Sequence, residues 1–401
     1  MNIGVYFIKS NINKGKFEDT INNIIGKLEN SEFKVENQGL ISEKKQIKGL
    51  GSDLYLLVIL TGGTENLIKE FEKFDTPVIL RTNSDGNSLP SAIEAREYLR
   101  GKIPLEIIHE DPTLQESIMD EELEEMRKKL KGDIASIGGS SNWLIASEVK
   151  KERLKDFGIN IEHISAEKMI KRINNTEVNP KKANEVIQRS ENLKNEISDE
   201  KVEETTKIYE ALKELAEKRN LNAITVRCID LIEEVGTTFC LPLSLLNDDG
   251  IIAGCEGDPR SLMGMILGKI VSQKPTYMGN LADYDKETIT LSHCTIPLDI
   301  TDNFTLTTHY ETDSGVAIKG NIKQKKVTVF GLDKDLRNAV ITEGTIIGTE
   351  ENKEMCRTQL KISVENAPKF MERAFGNHQI VTFAQKNKVE KFLNYIGIKT
   401  C

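Results

Sequence analysis

The apolar residues of this sequence follow one pattern up to about residue 280 and a different pattern after it. In the first part, apolar runs such as NIGVYFI, DLYLLVIL and TPVILR alternate with amphipathic stretches such as FEDTINNIIGKLE. This alternation is typical of parallel strands that are covered by helices. In the last part, short turn-bounded runs rich in Thr, Val and Ile predict mainly antiparallel strands. The predicted fold class is therefore α/β, with two doubly wound parallel-sheet domains followed by a β-rich C-terminal domain.

The length of 401 residues is too great for one ordinary core, so we expect several domains. The pattern places an N-terminal α/β domain at 1–131, a second α/β domain with the acidic site residues at 132–280, and the β-rich domain at 281–401. In each α/β part a glycine pair follows a strand, in LTGGTEN (60–66) and GGSSNWLIAS (138–147). We predict that both pairs form turns that open a helix.

Composition excludes several kinds of partner. The net charge is −9, and one Trp and eight Tyr offer little surface for base stacking, so we expect no nucleic acid. The run LYLLVIL (54–60) is far shorter than the roughly 20 residues that a membrane-spanning helix needs. The N-terminus lacks the pattern of a signal peptide, which predicts a cytoplasmic protein. No two of the six cysteines form a C-x-x-C pair, so we expect free thiols.

Carboxylates follow two predicted strands in the second part. Asp230 ends the run NAITVRCID, and Glu256 and Asp258 end the run IIAGC. Helix-like segments connect these strands, and right-handed crossovers place the carboxyl ends of parallel strands at the same edge of a sheet. We therefore expect the three acids to open into one crevice, where ligands bind in open α/β sheets.

Three of the five histidines lie near strand ends in the last part of the chain, at His293, His309 and His378. Two carboxylates and one imidazole would suit a divalent ion such as manganese, with open positions for substrate oxygens. Each residue also has an ordinary structural interpretation. An acid after a strand often caps a helix or stabilises a turn, and an isolated histidine is often part of the core.

Several longer motifs occur in a characteristic order. They are VRCIDLIEE, LPLSLLNDDGIIAGCEGDPRSLMGMIL, LSHCTIP, HYETDSGVAIKG, CRTQL and FGNHQIVTF. Together they resemble the second half of the L-fucose isomerase and L-arabinose isomerase superfamily, in particular its shorter members. The resemblance implies two α/β domains, a β-rich C-terminal domain and aldose–ketose isomerisation through a metal-bound ene-diol. It implies Mn²⁺ or another divalent cation and no nicotinamide cofactor.

The resemblance also assigns roles to the acidic residues. Its first carboxylate corresponds to Asp230, with Glu233 or Glu234 as alternatives if the alignment slips. Its second corresponds to Glu256 in the arabinose branch and to Asp258 in the fucose branch, and we prefer Asp258 as the metal ligand. Asp230, Glu256 and Asp258 are the predicted catalytic residues.

The histidines receive roles in the same way. His378 in GNHQ resembles the third metal ligand, so the predicted ligand set is Asp230, Asp258 and His378. His293 and His309 match motif positions for which we expect contacts with substrate hydroxyls. The substrate stays open among a pentose, a 6-deoxyhexose and a modified sugar.

The resemblance implies a homo-oligomer, a trimer or a hexamer, in which a neighbouring N-terminal domain closes the pocket. Two other classes of function fit the same sequence. One is a sugar-binding protein, because paired α/β lobes also occur in such proteins, and it would need no metal. The other is a metal-dependent epimerase or lyase that acts on a sugar derivative.

Overall fold

The computed structural model describes residues 2–29, 33–49, 51–109, 121–191 and 197–401. Its internal contacts divide the chain into two compact units. The first contains Met1–Glu125 and Tyr395–Gly397, and the second contains Met126–Asn394 and Ile398–Cys401. The three domain ranges of the sequence analysis stay a prediction, and the boundary at 280 falls inside a strand that spans Tyr277–Tyr284.

The first unit contains a parallel sheet of five strands. The strands are β1 (Asn2–Ile8), β2 (Lys34–Ile41), β3 (Leu54–Ile59), β4 (Val78–Thr82) and β5 (Leu105–His109). Its helices are α1 (Glu18–Glu29), α2 (Glu65–Ile68) and α3 (Ser88–Leu99), with 3₁₀ turns at Lys44–Gln46 and Lys69–Phe74. The strand order is β2-β1-β3-β4-β5, and every pairing is parallel. Helix α4 (Glu121–Leu130) spans the boundary between the units.

Alternate residues of β3 belong to two different cores. Leu54, Leu56 and Val58 pack in a cluster with Ile24 and Leu28 of α1. The other cluster contains Tyr55, Leu57 and Ile59, together with Phe71, Ala92 and Leu99. Because both faces of the strand are buried, its sequence is a continuous apolar run and not an alternating one. The predicted parallel sheet covered by helices is thus confirmed in this unit.

A second parallel sheet lies in the second unit. Its strands are β6 (Gly132–Ile137), β7 (Ile159–Ile164), β8 (Leu221–Val226) and β9 (Ile252–Gly254), in the order β7-β6-β8-β9. The helices around it are α5 (Lys151–Asp156), α6 (Ala166–Asn174), α7 (Pro180–Arg189), α8 (Asp199–Arg219), α9 (Ile232–Val235), α10 (Cys240–Asp248) and α11 (Pro259–Ser272), with a 3₁₀ turn at Ile229–Leu231. The segment 138–147 forms turns, so the predicted helix directly after its glycine pair is wrong.

The last part of the chain is β-rich, as predicted, and six of its strands close into a barrel. The elements are β10 (Tyr277–Tyr284), β11 (Thr288–His293), β12 (Asn303–Thr307), β13 (Ala317–Asn321), β14 (Lys325–Leu332), β15 (Asn338–Thr349), β16 (Thr358–Val364), β17 (His378–Thr382) and β18 (Lys399–Thr400), with α12 (Ala367–Arg373), α13 (Lys386–Tyr395) and a 3₁₀ turn at Leu298–Ile300. The barrel order is β14-β17-β10-β11-β16-β15, and β15 returns to pair with β14. Strands β12 and β13 form a separate ribbon.

Helix α11 packs closely against the barrel through two glycines. A Cβ atom on Gly264 would lie 2.8 Å from Cγ1 of Ile380, and one on Gly268 would lie 2.8 Å from Cγ2 of Thr276. The glycines let the helix backbone approach the barrel because they carry no side chain. This packing brings the start of α11, where the strand-end acids lie, toward the start of β17 at His378.

In the described part of the chain, no helix combines the length and apolar character needed to cross a membrane. All six cysteines are free thiols, as predicted. Two of them lie at neighbouring strand ends, where Sγ of Cys228 and Sγ of Cys255 are 2.7 Å apart.

Candidate metal centre

The turn after β9 presents two acidic side chains in different directions. Glu256 has a backbone φ of +59°, a left-handed conformation that is uncommon outside glycine. Gly257 follows with a φ of +66°, and a Cβ there would lie 1.9 Å from the carbonyl oxygen of Gly139. Asp258 then caps α11, because its side chain accepts a hydrogen bond from the amide of Ser261 at 2.9 Å.

The barrel supplies two imidazoles from strands on either side of β10. His378 begins β17 and pairs with Asn280 of β10, while Ser292 of β11 pairs with Asn280 from the other side. His293 is the next residue of β11 and its last. The two imidazole centroids are 5.7 Å apart, so antiparallel pairing on either side of β10 brings together residues that are distant in sequence.

Glu256, His293 and His378 form a buried cluster with one potential ligand atom each. Oε1 of Glu256 lies 3.6 Å from Nε2 of His293 and 3.4 Å from Nε2 of His378. All three ligand atoms lie within 4.8 Å of one another. Among the described residues, neither Nε2 atom has a hydrogen-bond partner, although both are buried. Buried polar atoms are normally satisfied, so this set of one oxygen and two nitrogens fits a divalent cation.

Asp258 holds the opposite side of His378. Its Oδ2 accepts hydrogen bonds from Nδ1 of His378 at 2.9 Å, from Oγ of Ser261 at 2.7 Å and from Oγ of Ser147 at 3.2 Å. The buried guanidinium of Arg260 lies 3.5 Å from the same oxygen and donates to the carbonyl of Phe375. A proton fixed on Nδ1 leaves the lone pair of neutral His378 on Nε2, facing Glu256, which is the tautomer that binds metals in this way.

The charges of the cluster shift the ionisation of its members. Burial favours neutral Glu256, but the facing imidazoles outweigh burial and hold the pKa of its carboxyl well below the usual range. Burial likewise disfavours charged His378, yet the carboxylates of Asp258 and Glu256 raise its pKa to about 9. The pKa of Asp258 is lowered, because the contact with His378 outweighs burial. A cation at the cluster would therefore meet the ionised carboxylate of Glu256, with ionised Asp258 behind His378, and would replace a proton on His378.

Asp230 lies outside this cluster of three. Its carboxylate accepts a hydrogen bond from Nε of Arg227, and its side chain is 41% exposed. Arg227 also donates to the carbonyl of Ser140 at 3.3 Å, which connects the ends of β6 and β8. The alternatives Glu233 and Glu234 are both exposed. Asp230 thus has a defined partner at the end of β8.

His309 lies in the loop after β12, and two residues of the cluster, His293 and Glu256, affect its pKa. Burial, His293 and Arg357 together lower its pKa to about 4, against a smaller opposing effect of Glu256. Its Nδ1 is 3.2 Å from Oγ1 of Thr312. Arg357 holds the start of the loop by donating to the carbonyl of Thr308 at 2.8 Å. His309 is therefore a neutral imidazole at neutral pH.

The predicted ligand set and the cluster have His378 in common. The cluster contains Glu256 and His293, to which the sequence analysis gave a catalytic and a substrate-binding role. The ligand roles of Asp230 and Asp258 stay predictions, and the geometry favours Glu256 and His293 in their place. Sequence reasoning missed two residues, Arg260 and Trp143. Nε1 of Trp143 donates to Oε2 of Glu256 at 2.7 Å.

Comparison with known proteins gives partial similarity to sugar isomerases. No family model matches the chain. A sulfoquinovose isomerase from Clostridium sp. (strain MSTE9) is 31% identical over 91 residues, which cover 22% of this chain and 20% of that protein. A sulfoquinovose isomerase from Alkalicoccus urumqiensis is 28% identical over 100 residues, which cover 24% of this chain and 23% of that protein. The matches thus span about a fifth of the relatives' length, and membership of the superfamily named above stays a prediction.

Proposed function

We propose that this chain is a metal-dependent sugar isomerase that interconverts an aldose and a ketose through an ene-diol intermediate. The observation that carries the proposal is the buried cluster in which Oε1 of Glu256 faces Nε2 of His293 and Nε2 of His378. Partial similarity to two proteins named sulfoquinovose isomerase supports the same class of reaction.

In this proposal Glu256, His293 and His378 hold the cation, and Mn²⁺ is the first ion to test. Imidazole and carboxylate donors suit a borderline divalent ion. A bound divalent cation would polarise the sugar carbonyl and stabilise the negative charge that develops on its oxygen.

Asp230 is the acid that we assign to proton transfer between C1 and C2. Glu256 faces the imidazoles, and Asp258 is fully buried with hydrogen bonds from three side chains, so neither is free to move a substrate proton. Asp230 is 41% exposed and accepts a hydrogen bond from Arg227, so its carboxylate is accessible to a substrate and is held by a partner, as a general base must be.

His309 is the residue that we assign to a sugar hydroxyl. A neutral imidazole has one ring nitrogen that donates and one that accepts. Because its pKa is lowered to about 4, His309 keeps this form throughout the neutral range and adds no positive charge beside the cation site.

The decisive experiment measures hydrogen exchange in deuterated water. The purified protein is loaded with Mn²⁺ and incubated with a panel of aldoses that includes sulfoquinovose, since both relatives carry that name. We expect a ketose product with deuterium at C1 and exchange at C2 of the aldose, detected by NMR. Glu256→Gln should abolish both signals, whereas His163→Ala, which changes an exposed histidine, should leave them intact.

The possible products also distinguish the alternatives. Sugar binding without exchange by the Mn²⁺-loaded protein would indicate a binding protein and overturn the proposal. An epimeric aldose or a cleaved product would indicate the epimerase or lyase.

Two further parts of the proposal are carried over from the sequence analysis. They are a homo-oligomer, trimer or hexamer, and a cytoplasmic location. Sedimentation velocity and cell fractionation test them.

A further inference from the structure

Trp143 is the chain's one tryptophan, and it lies in the loop 138–147 that follows β6. Its indole N–H donates to Oε2 of Glu256 at 2.7 Å. The same loop makes two further contacts with the acidic turn, because the amide of Ser141 donates to the carbonyl of Glu256 at 3.0 Å and Ser147 donates to Asp258. The loop is therefore bonded to the segment that carries the carboxylates.

The two carboxylate oxygens of Glu256 have different partners. Oε2 of Glu256 is bonded to Trp143, while Oε1 faces the imidazoles of His293 and His378. The backbone of Glu256 is in the left-handed region, a conformation that persists where surrounding contacts hold it. The N–H of Trp143 is the neutral donor that supplies this contact.

The rest of the indole is available to another molecule. Trp143 is 49% exposed, although its polar edge is bonded at a buried carboxylate. Tryptophan typically combines an apolar ring with one polar group, which suits a surface where a ligand is half apolar. The C–H face of a sugar ring is such a surface, and a sugar whose oxygens reach the cluster would lie beside this ring.

We propose that Trp143 is a positioning and substrate-binding residue: its N–H fixes the carboxylate of Glu256 for the cation, and its exposed ring packs against the sugar carbons. The second half rests on the proposed isomerase function. The first half depends only on the contact between Trp143 and Glu256.

The first test measures Mn²⁺ affinity by calorimetry and by the EPR signal of free Mn²⁺. Trp143→Phe keeps an aromatic ring and removes the N–H. Loss of such a partner typically weakens metal binding about 10-fold to 100-fold, and we expect that loss here. Ile145→Ala in the same loop, at a side chain that is 93% exposed, is the matched control and should bind like the wild type. Equal affinity of Trp143→Phe and the wild type would overturn the positioning role.

The second test uses the emission of the single tryptophan in metal-free protein. Glu256→Ala removes the acceptor, so the emission maximum should shift and quenching by acrylamide should increase. Glu148→Ala, at an exposed acid close to the loop, should change neither. Unchanged emission of Glu256→Ala would show that the contact does not exist, whatever reaction the protein catalyses.

The third test separates the ring from its N–H. Trp143→Phe and Trp143→Ala should lose metal affinity equally, but Trp143→Ala should have a further increase in KM of about tenfold, as expected for about 1.4 kcal/mol of lost sugar contact. Equal KM values would overturn the substrate-binding half. If the wild type shows no deuterium exchange at all, the isomerase proposal fails, while the affinity and emission tests still decide the positioning role.

Discussion

Oδ2 of Asp258 lies 2.9 Å from Nδ1 of His378, and both side chains are buried. The same carboxylate contacts Arg260 and two serine hydroxyls. One acid thus caps a helix, neutralises a buried cation and orients the imidazole that faces Glu256. A carboxylate behind a histidine is a common support for a metal ligand. Because Asp258 also stabilises the fold, a substitution there should affect both metal binding and stability.

Asp258→Asn should weaken Mn²⁺ binding and destabilise the fold. The amide keeps one acceptor oxygen, so its NH₂ group would face either the donors that now meet Oδ2 or the amide of Ser261 that now donates to Oδ1. Buried donors would lose their acceptor in both orientations. We expect a loss of about 10-fold to 100-fold in affinity and a decrease of about 3 kcal/mol in the free energy of unfolding. Calorimetric titration and urea denaturation measure the two effects. Asp283→Asn, at an exposed position of β10, is the control, and a variant as stable as that control would contradict the prediction.

His293→Ala and His309→Ala should have different effects. His293 belongs to the cluster, so its loss should weaken Mn²⁺ binding at least about 10-fold to 100-fold. His309→Ala should retain nearly normal affinity for Mn²⁺ and lose roughly tenfold in kcat/KM, because a sugar hydroxyl would lose one hydrogen bond. Parallel metal titrations and kinetics separate the two roles. The same loss of affinity in both variants would mean that both residues bind the ion.

Asp230→Asn should decrease kcat and leave metal binding intact. Removal of a general base typically costs about 10²-fold to 10⁴-fold, and we expect a loss in that range. Glu233→Gln and Glu234→Gln change the neighbouring exposed acids and should be close to wild type. A large loss of Mn²⁺ affinity in Asp230→Asn would instead make it a ligand, as the resemblance implies, and inactivity of a glutamate variant would move the base to that residue.

Gly257→Ala should damage the acidic turn. The new Cβ would lie 1.9 Å from the carbonyl oxygen of Gly139, at a φ of +66°. Gly236 has a φ of +78° and no atom within 4 Å of its Cβ position, so Gly236→Ala measures the cost of the backbone conformation alone, about 1–2 kcal/mol. Gly257→Ala should lose more stability than this control and most Mn²⁺ affinity. Thermal and chemical denaturation measure both variants. If Gly257→Ala loses no more stability than Gly236→Ala, the predicted clash is contradicted.

Asp248→Asn should change the pH dependence of stability. Burial raises the pKa of Asp248 to about 7, and it outweighs the hydrogen bond from the backbone amide of Asp299, which lowers the pKa. Between its unfolded pKa near 4 and about 7, folded Asp248 keeps a proton that the unfolded chain loses, so it makes stability fall as pH rises through that window. Asparagine removes this decline. We expect a gain on the order of 1–3 kcal/mol in unfolding free energy at pH 8 and little change at pH 4, measured by urea denaturation. Parallel pH profiles for the variant and wild type would contradict the prediction.

Much of the fold could be predicted from local patterns, and the failures have physical reasons. The apolar run of β3 and the amphipathic stretch that forms α1 depend on local burial, so they can be recognised in the sequence. Strand β2 is an edge strand with many partly exposed residues, and β10 becomes exposed along its second half, so neither has a clear strand pattern. Closure of the barrel depends on pairings between distant strands, which no local pattern records.

The sequence singles out residues of the candidate site but not their arrangement. Strand ends at Glu256 and Asp258 follow from the sequence, and the motif around His378 follows from the resemblance. Which acid faces the imidazoles is decided by the left-handed backbone of Glu256 and by the helix cap at Asp258. The cap is one of the ordinary interpretations of an acid after a strand, but the left-handed backbone cannot be read from the residue type. Trp143 and Glu256 are 113 positions apart, so their contact required the sheet topology.

The cluster draws its ligand atoms from two separate layers, Glu256 from the turn after a parallel sheet and the imidazoles from a closed barrel. An ion held there would stabilise the contact between the two layers, because it would bind ligand atoms from both. During refolding, high affinity for the ion should arise only after the layers have docked, later than either sheet. The time course of metal binding would then report when the parallel sheet and the barrel of the second unit dock.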